Sequence, residues 1–302
     1  MRFDSGIDQA DGLRRLLVGN QTRLISVLAG KSRVGKTSVT INLAMALARS
    51  GKDVLVLDES SLPNNLLDGL GLYARHDLLD VAQGKCRVRE ALLGSKGFSV
   101  LPTARARQVL SKLSAAEQQR LEDALAEVSG GVDVTLVDAA LSAGQAVAAS
   151  SANGAALLLV IDATTSGITE SYALIKRLAT ENGRLRFEVL VNKVDDEQAA
   201  LTVFANMAAL ARRDLATRLE YAGYIPRDEK LPRAARLGQS VLEAFPNAAS
   251  SAAFLHLAQN VMHFPVHQGG LSAGARPPVH SLFGHELPLP TRHSREAAHV
   301  VN

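Results

Sequence analysis

The chain has 302 residues, of which 47% are hydrophobic and 21% are charged, so it can bury a sizeable globular core. A single cysteine, Cys86, excludes a disulfide framework and cannot form a structural zinc site by itself. No apolar run reaches the roughly 18 residues that span a bilayer, and the first residues do not resemble a signal peptide. We therefore expect a cytoplasmic protein with one large domain or two small ones.

The charge and the aromatic content argue against nucleic acid as a partner. The net charge is only +3, whereas nucleic-acid-binding proteins concentrate lysine and arginine on one face. Aromatic residues make up 4% of the chain and tryptophan is absent, which disfavours stacking platforms for single strands.

Short apolar strands alternate with longer helical patterns from residue 24 onward. The predicted strands are residues 24–29, 54–58, 98–101, 134–138, 156–162, 187–192 and 222–225. The predicted helices between them include residues 37–50, 115–128, 170–180 and 199–211. Continuous runs of Val, Ile and Leu are typical of strands that are buried on both faces of a parallel sheet. The alternation predicts an α/β fold, a doubly wound and mostly parallel sheet with helices on both faces.

A phosphate-loop pattern follows the first predicted strand. Its residues satisfy G-x-x-x-x-G-K-[ST] between a strand and a helix, which is the context that this motif requires. Backbone N–H groups of such a loop cradle phosphate oxygens, Lys36 reaches the β- and γ-phosphates, and the Thr37 hydroxyl binds Mg²⁺. The predicted nucleotide-binding residues here are Gly30, Lys31, Ser32, Arg33, Val34, Gly35, Lys36, Thr37 and Ser38.

A second nucleotide-site element, a carboxylate, is predicted at the end of a later strand. Residues 134–138 are mostly apolar and end in Asp138, which is typical of a Walker B strand whose carboxylate lies beside Mg²⁺. An aspartate that ends a strand is more often a turn or cap residue, but its place after the phosphate loop favours the functional interpretation. Thr37 and Asp138 are therefore the predicted metal residues.

The second lysine of the loop, Lys31, and the order of the segments resemble the deviant Walker A family of P-loop ATPases that includes MinD and ParA. The resemblance implies ATP and Mg²⁺ as cofactors and an ATP-dependent homodimer, in which Lys31 reaches across to the partner's phosphates. Ser32 and Arg33 stand where the family has glycines. Arg33 therefore either crowds the dimer interface or contacts a phosphate.

The second strand carries only part of the family's D-x-D pattern. Asp58 matches the first carboxylate and is implied to be catalytic, with Lys31 and Lys36. Ser60 stands in place of the second carboxylate, which is implied to position the attacking water. Because side chains alternate along a strand, we expect Glu59 to point away from the face shared by Asp58 and Ser60. ATP hydrolysis should therefore be slow or absent in the isolated protein.

The base-recognition residues allow two interpretations. Residues 192–195 spell N-K-x-D, which resembles the guanine readers of GTPases, and a plain surface turn accounts for Lys193 and Asp195 as well. Asn192 also occupies the place of the asparagine that faces adenine in MinD-type proteins. Pro226 and Asp228 resemble the purine-side loop of the same family. Two matches to one family favour ATP over GTP.

Residues before the first strand carry the most specific resemblance. They match the D-Q-A-x-x-L-R motif of the FlhG family, also called FleN, which regulates flagellar number. That motif is implied to dock on FlhF, a signal-recognition-type GTPase, and to stimulate its GTP hydrolysis. The implied partner-binding residues are Asp8, Gln9, Ala10, Leu13 and Arg14. The alternative is an amphipathic helix that packs on its own domain.

The predicted organisation has three parts: an activator helix and linker at 1–20, a MinD-like ATPase domain at 21–264, and a tail at 265–302. The tail contains scattered proline and histidine and should be disordered, because it cannot bury enough apolar surface. The last helical pattern, residues 254–264, has no Lys or Arg nearby, so we expect core packing and weak or no membrane binding.

Three function classes remain open on the sequence. The first is an ATP-switched regulator that activates a GTPase, the second a non-hydrolysing adaptor with the same partner, and the third a partition-type ATPase. Flagellar C-ring components or transcriptional regulators are further partners of the first class. A peripheral position at the inner membrane or the cell pole is the alternative to a freely cytoplasmic one.

Overall fold

The computed structural model describes residues 22–61, 65–140, 155–182, 186–215 and 217–265. The predicted activator helix at 1–20 and the tail beyond Pro265 lie outside the described residues.

Eight strands form one sheet in the order β3-β4-β2-β5-β1-β6-β7-β8, and every pair is parallel except β3 with β4. Their bounds are β1 Arg23–Leu28, β2 Val54–Asp58, β3 Leu93–Gly94, β4 Ser99–Pro102, β5 Val134–Asp138, β6 Ala156–Asp162, β7 Arg186–Val194 and β8 Arg218–Pro226. The central strands are entirely buried, as their continuous apolar sequences predict. The predicted doubly wound α/β fold is confirmed.

Helices cover both faces of the sheet. Their bounds are α1 Lys36–Arg49, α2 Leu66–Leu70, α3 Leu78–Ala82, α4 Val88–Ala91, α5 Ala104–Val109, α6 Ala115–Ser129, α7 Thr165–Asn182, α8 Glu197–Leu215, α9 Lys230–Arg236, α10 Val241–Ala244 and α11 Ala249–Val261. One core includes Leu43, Leu136 and Phe254, and the other includes Leu125, Leu159 and Phe187. Neighbouring residues of β6 enter opposite cores because side chains alternate along a strand.

The parallel register brings functional residues of distant segments to one edge of the sheet. Asp58 at the end of β2 pairs with Asp138 at the end of β5, and Val27 near the end of β1 pairs with Asp138 from the other side. Asp162 at the end of β6 pairs in the same way with Asn192 of β7. The carboxyl ends of these strands and the loop after β1 therefore meet, which is where ligands bind in open α/β sheets.

The last helix packs inside the protein. In α11, Phe254, Leu257, Ala258 and Val261 are buried and belong to the same core as α1. The expectation of core packing for this segment is confirmed. Among the helices that the structure describes, none is long and apolar enough to cross a membrane.

Some predicted boundaries were wrong. The strand predicted at 222–225 begins at Arg218, and the helix predicted at 170–180 begins at Thr165. β8 is an edge strand, so its first part carries Arg218 and Glu220, and these charges obscure the apolar pattern. The short strand β3 and the short helices α2 to α5 were not predicted, because segments of two to six residues are too short for a periodic signal.

Candidate functional site

The two glycines of the phosphate loop are required by close contacts inside the chain. Gly35 has a φ of 98°, and a Cβ atom there would lie 2.4 Å from Asn192 Nδ2. A Cβ atom on Gly30 would lie 2.5 Å from the backbone of Glu170 in α7. Gly35 also precedes α1, and no side chain caps the first turn of that helix. Its N–H groups are thus available to an anion at the positive end of the helix.

The two residues that replace family glycines are exposed. Arg33 has a φ of 64°, so it adopts the left-handed conformation that glycine adopts without steric cost. The Arg33 carbonyl oxygen accepts a hydrogen bond of 2.6 Å from Lys193 Nζ, which holds the loop in this conformation. Ser32 and Arg33 both extend away from the core, whereas Val34 is buried. The Arg33 side chain is therefore accessible to a ligand or to another molecule.

Asp138 is the centre of the site. It is completely buried, and Lys36 Nζ lies 2.6 Å from its Oδ1. Thr37 Oγ1 donates to Asp138 Oδ2 at 3.0 Å, and Thr40 Oγ1 donates to Asp138 Oδ1 at 2.8 Å. Ser60 Oγ donates to Asp138 Oδ2 at 3.3 Å. Three residues of α1 and one residue that follows β2 thus converge on one carboxylate.

This arrangement fits a magnesium ion that also binds phosphates. The Thr37 hydroxyl and the Asp138 carboxylate offer adjacent oxygen ligands of the kind that Mg²⁺ prefers, and Mg²⁺ takes its other ligands from phosphates and water. Within the described part of the chain, no group of three or more His, Cys, Asp or Glu residues could hold a metal alone. The remaining ligands would come from the phosphates of a bound nucleotide and from water.

The Asp58 carboxylate organises the loop that follows β2. Its Oδ1 accepts from Ser60 N at 3.0 Å, and its Oδ2 accepts from Leu66 N at 3.2 Å. Burial, together with the nearby Asp138 carboxylate, raises the pKa of Asp58 to about 7. Ser60 faces Asp138, whereas Glu59 faces Ala140, so the expected alternation of these side chains is confirmed.

Replacing Asp58 with asparagine should remove part of the pH dependence of stability. The pKa of Asp58 in the folded protein, about 7, lies above the value of about 4 in an unfolded chain. The stabilisation from holding this proton is therefore complete below about pH 4 and is lost as the pH rises through about 7. Without nucleotide, the midpoint of thermal unfolding should fall more steeply from about pH 4 to about pH 7 in the wild type than in Asp58→Asn. Parallel curves would contradict the assignment, and the exposed variant Asp123→Asn is the control.

Lys31 is anchored within its own chain. Its Nζ donates to Ser166 Oγ at 2.6 Å, and this hydroxyl lies 3.4 Å from Thr164 Oγ1, which donates to Asp162 Oδ1 at 2.5 Å. Hydroxyl groups before and within the first turn of α7 thus connect the loop lysine to the carboxylate that ends β6. Lys31 is only half-buried, so it could leave these partners.

The base-side residues divide into two groups. Asn192 Nδ2 donates to Val34 O at 2.8 Å, so Asn192 supports the loop directly. Pro226 ends β8 beside it, across from Val194 of β7. Asp228, in contrast, accepts from the N and Oγ of Ser250 at 3.1 and 2.7 Å, and from Lys230 N at 2.9 Å. The Asp228 side chain therefore joins α9 to α11 and has little capacity left for a base.

The N-K-x-D pattern does not form a preorganised guanine site. Lys193 Nζ is bound to the Arg33 carbonyl oxygen, and the Asp195 side chain is 81% exposed. Arg227 Nε lies 3.3 Å from Asp195 Oδ1, so the carboxylate is paired at the surface. This geometry places Lys193 and Asp195 at and just after the exposed end of β7, and it favours the interpretation in which they do not recognise a base.

Several residues of the site escaped prediction from the sequence. Thr40 contacts Asp138 and could have been found, because it lies three residues after Thr37 on the same helix face. Ser38, which was predicted, accepts from Asn42 Nδ2 through its carbonyl oxygen at 2.7 Å. Ser166 and Arg107 carried no local signal. They reach the site from segments that are distant in sequence.

The comparisons with known proteins agree with this geometry. Residues 25–241 match the family described as the CobQ/CobB/MinD/ParA nucleotide binding domain. The antiactivator FleN of Pseudomonas aeruginosa is 37% identical over 81% of this chain and 88% of its own length. The flagellum site-determining protein YlxH of Helicobacter pylori is 25% identical over 75% of this chain and 77% of its own.

A solved structure shows the same fold. The MinC:MinD cell division protein complex of Aquifex aeolicus contains a chain with a TM-score of 0.61 and 27% identity, which covers 81% of this chain and 97% of that one. The phosphate loop, the Asp138 site and the strand order all lie within the matched region. The chain therefore belongs to the CobQ/CobB/MinD/ParA nucleotide-binding family, and within it to the FlhG/FleN type.

Proposed function

We propose that this chain is an ATP-binding, ATP-switched regulator of flagellar number and placement. The observation that carries the proposal is the convergence of Lys36, Thr37 and Ser60 on the buried Asp138, in a chain that is 37% identical to an antiactivator named FleN. The similarity to a flagellum site-determining protein supports the same process. ATP rather than GTP is favoured because Lys193 is bound to the Arg33 carbonyl oxygen and the exposed Asp195 is paired with Arg227.

The switch in this proposal is an ATP-dependent homodimer. Lys31 would leave Ser166 and contact the phosphates of the partner's nucleotide, as the family resemblance implies. The half-buried position of Lys31 and the exposure of Ser32 and Arg33 support this movement, since no core packing must be broken. Thr37 and Asp138 would hold Mg²⁺, which supplies charge compensation for the phosphates.

The proposed output is stimulation of the FlhF GTPase by the N-terminal motif. Asp8, Gln9, Ala10, Leu13 and Arg14 carry this motif, and they lie outside the described residues. The protein would act in the cytoplasm, at the cell pole or the inner membrane. Flagellar C-ring components or transcriptional regulators are further proposed partners, and the relative's designation as an antiactivator supports the latter.

We also propose weak or no membrane binding and no nucleic-acid partner. The apolar face of α11 is buried against α1 and β8, so this helix has no free apolar face to insert into a bilayer. The small net charge of +3 supports the absence of a nucleic-acid partner.

A non-hydrolysing adaptor with the same partner is the second candidate. The observation that favours it is Ser60, which stands beside Asp138 where a hydrolysing site of this family carries a carboxylate. A hydroxyl can bind a water molecule but cannot accept its proton as a carboxylate does. Both candidates share ATP binding and differ in turnover.

The proposed output can be tested in full-length protein with purified FlhF and GTP. Gln9→Ala should lower stimulated GTP turnover more than it weakens binding, because a glutamine orients the attacking water in other GTPases. Leu13→Ala should mainly weaken binding, because it removes an apolar docking group. Asp11→Ala, which changes a variable position of the motif, is the matched control. Equal stimulation by all three variants would show that the activator lies elsewhere.

A further inference from the structure

Glu59 is a buried carboxylate at the junction of three segments. Its backbone N–H donates to Asp138 O at 3.3 Å, and its Oε2 accepts from Ala140 N at 3.1 Å. Arg107 Nε of α5 lies 3.4 Å from the same Oε2. Glu59 thus connects the end of β2, the segment after β5 and helix α5.

Helix α5 contacts the loop after β2 at several points. Thr103, just before the helix, donates to Asp58 O through its N at 2.8 Å and through its Oγ1 at 3.0 Å. Gln108 Nε2 donates to Ser61 Oγ at 2.9 Å. With the Arg107–Glu59 pair, this helix is in contact with residues on both sides of Ser60. A displacement of that loop must therefore move α5 or break these contacts.

The same helix also reaches the protein surface. Arg105 Nη1 lies 3.1 Å from Asp77 Oδ2 and 3.3 Å from Asp80 Oδ2, and its side chain is 56% exposed. These two aspartates form the capping box of α3. Helix α5 therefore has one contact face toward the Asp138 site, and through the exposed Arg105 it pairs with the N-terminus of the buried helix α3.

The contact between Arg107 and Glu59 is loose in this structure. Arg107 Nε is buried, yet its separation of 3.4 Å from Glu59 makes no hydrogen bond, so a buried donor is left unsatisfied. Such a donor destabilises the arrangement that contains it, and a small approach of the two groups would satisfy it. A ligand that shifts Glu59 toward Arg107 would therefore gain this hydrogen bond. A difference in contacts of this kind is what couples a ligand to a conformation.

We propose that Glu59 is a positioning residue that, through Arg107, couples occupancy of the nucleotide site to helix α5. The inference rests on the proposed ATP binding. It states how the occupancy of that site would change an exposed face of α5. Nucleotide and Mg²⁺ bound at Lys36, Thr37 and Asp138 fix the position of the segment that contains Ala140. Glu59 accepts a hydrogen bond from Ala140 N and pairs with Arg107, so the position of this segment determines that of Arg107. The face that carries Arg105 is then the nucleotide-dependent surface.

The test uses the full chain, titrated with Mg–ATP, with amide hydrogen exchange of residues 104–112 measured in the presence and absence of the nucleotide. In the wild type, Mg–ATP should slow exchange in this segment. Glu59→Gln keeps the size of the side chain but loses its charge, and it should weaken Mg–ATP affinity about tenfold and remove the exchange response. Arg107→Gln should do the same. Both substitutions remove the same Glu59–Arg107 contact. The double variant should therefore lose no more Mg–ATP affinity than either single variant.

The control is Arg105→Gln, which removes the same charge from the same helix but contacts Asp77 and Asp80. It should leave Mg–ATP affinity and the exchange response unchanged. Additive losses in the double variant, or lowered thermal stability with unchanged affinity and exchange response, would overturn the inference. Arg107→Lys, which retains the charge, provides a folded alternative if Arg107→Gln fails to fold. A wild type that binds no Mg–ATP would overturn the proposed function and this inference with it, whereas failure of the variants alone overturns only the inference.

Discussion

Lys36→Ala is expected to lower the affinity for Mg–ATP at least 100-fold in isothermal titration, which corresponds to about 2.7 kcal/mol. Lys36 is the buried cation of the loop, and its Nζ lies 2.6 Å from Asp138 Oδ1. Without it, the phosphates lose a charge-assisted donor, and the Asp138 carboxylate remains buried with no countercharge from the loop.

The same change should destabilise the nucleotide-free protein, because breaking a buried ion pair costs about 3–5 kcal/mol. The double variant Lys36→Ala with Asp138→Asn separates the two effects. It removes the orphaned charge, so its thermal midpoint should recover toward that of the wild type while binding stays lost. Unchanged affinity in folded Lys36→Ala would overturn the assignment of the nucleotide site.

Ser60→Asp is expected to raise ATP turnover about 100-fold, within the range of about 10²–10⁴ that a positioned acid–base group contributes. Ser60 Oγ lies 3.3 Å from Asp138 Oδ2, so a carboxylate at this position would lie beside the proposed metal and phosphates. The wild-type protein should hydrolyse ATP slowly or not at all, because its hydroxyl cannot take a proton from water. Phosphate release under saturating Mg–ATP measures both proteins.

The introduced carboxylate has a second measurable effect. It would lie near Asp58 and Asp138, whose proximity already raises the pKa of Asp58. The nucleotide-free variant should therefore unfold at a lower temperature, with partial recovery on addition of Mg²⁺. Ser60→Asn introduces a side chain with the shape of aspartate but without its charge. It is the control and should not raise ATP turnover. Wild-type turnover near one per second would show that another group already performs this role.

Local patterns in the sequence sufficed for the fold and for the centre of the site. Continuous apolar runs predicted the central strands because burial on both faces demands them. The glycine–lysine–threonine spacing predicted the loop, since a phosphate cradle needs glycine at Gly35, where φ is 98°. Asp138 followed from its place at the end of an apolar strand. These features depend on neighbouring residues or on the periodicity of a helix or strand. Each of them can therefore be predicted from a single segment of the sequence.

Only the tertiary structure decided which partners the site residues have. Asp228, predicted on the purine side, accepts hydrogen bonds that join α9 to α11, and Lys31 contacts Ser166, which lies 135 residues away. The pairing of Glu59 with Arg107 depends on how α5 packs against the residues that follow β2. Such contacts form where segments that are distant in sequence cross. Each segment contributes a single side chain, so the sequence contains no periodicity or motif spacing from which the contact could be predicted. The loops and strands were therefore determined locally, whereas the ion pairs that connect them were determined by packing.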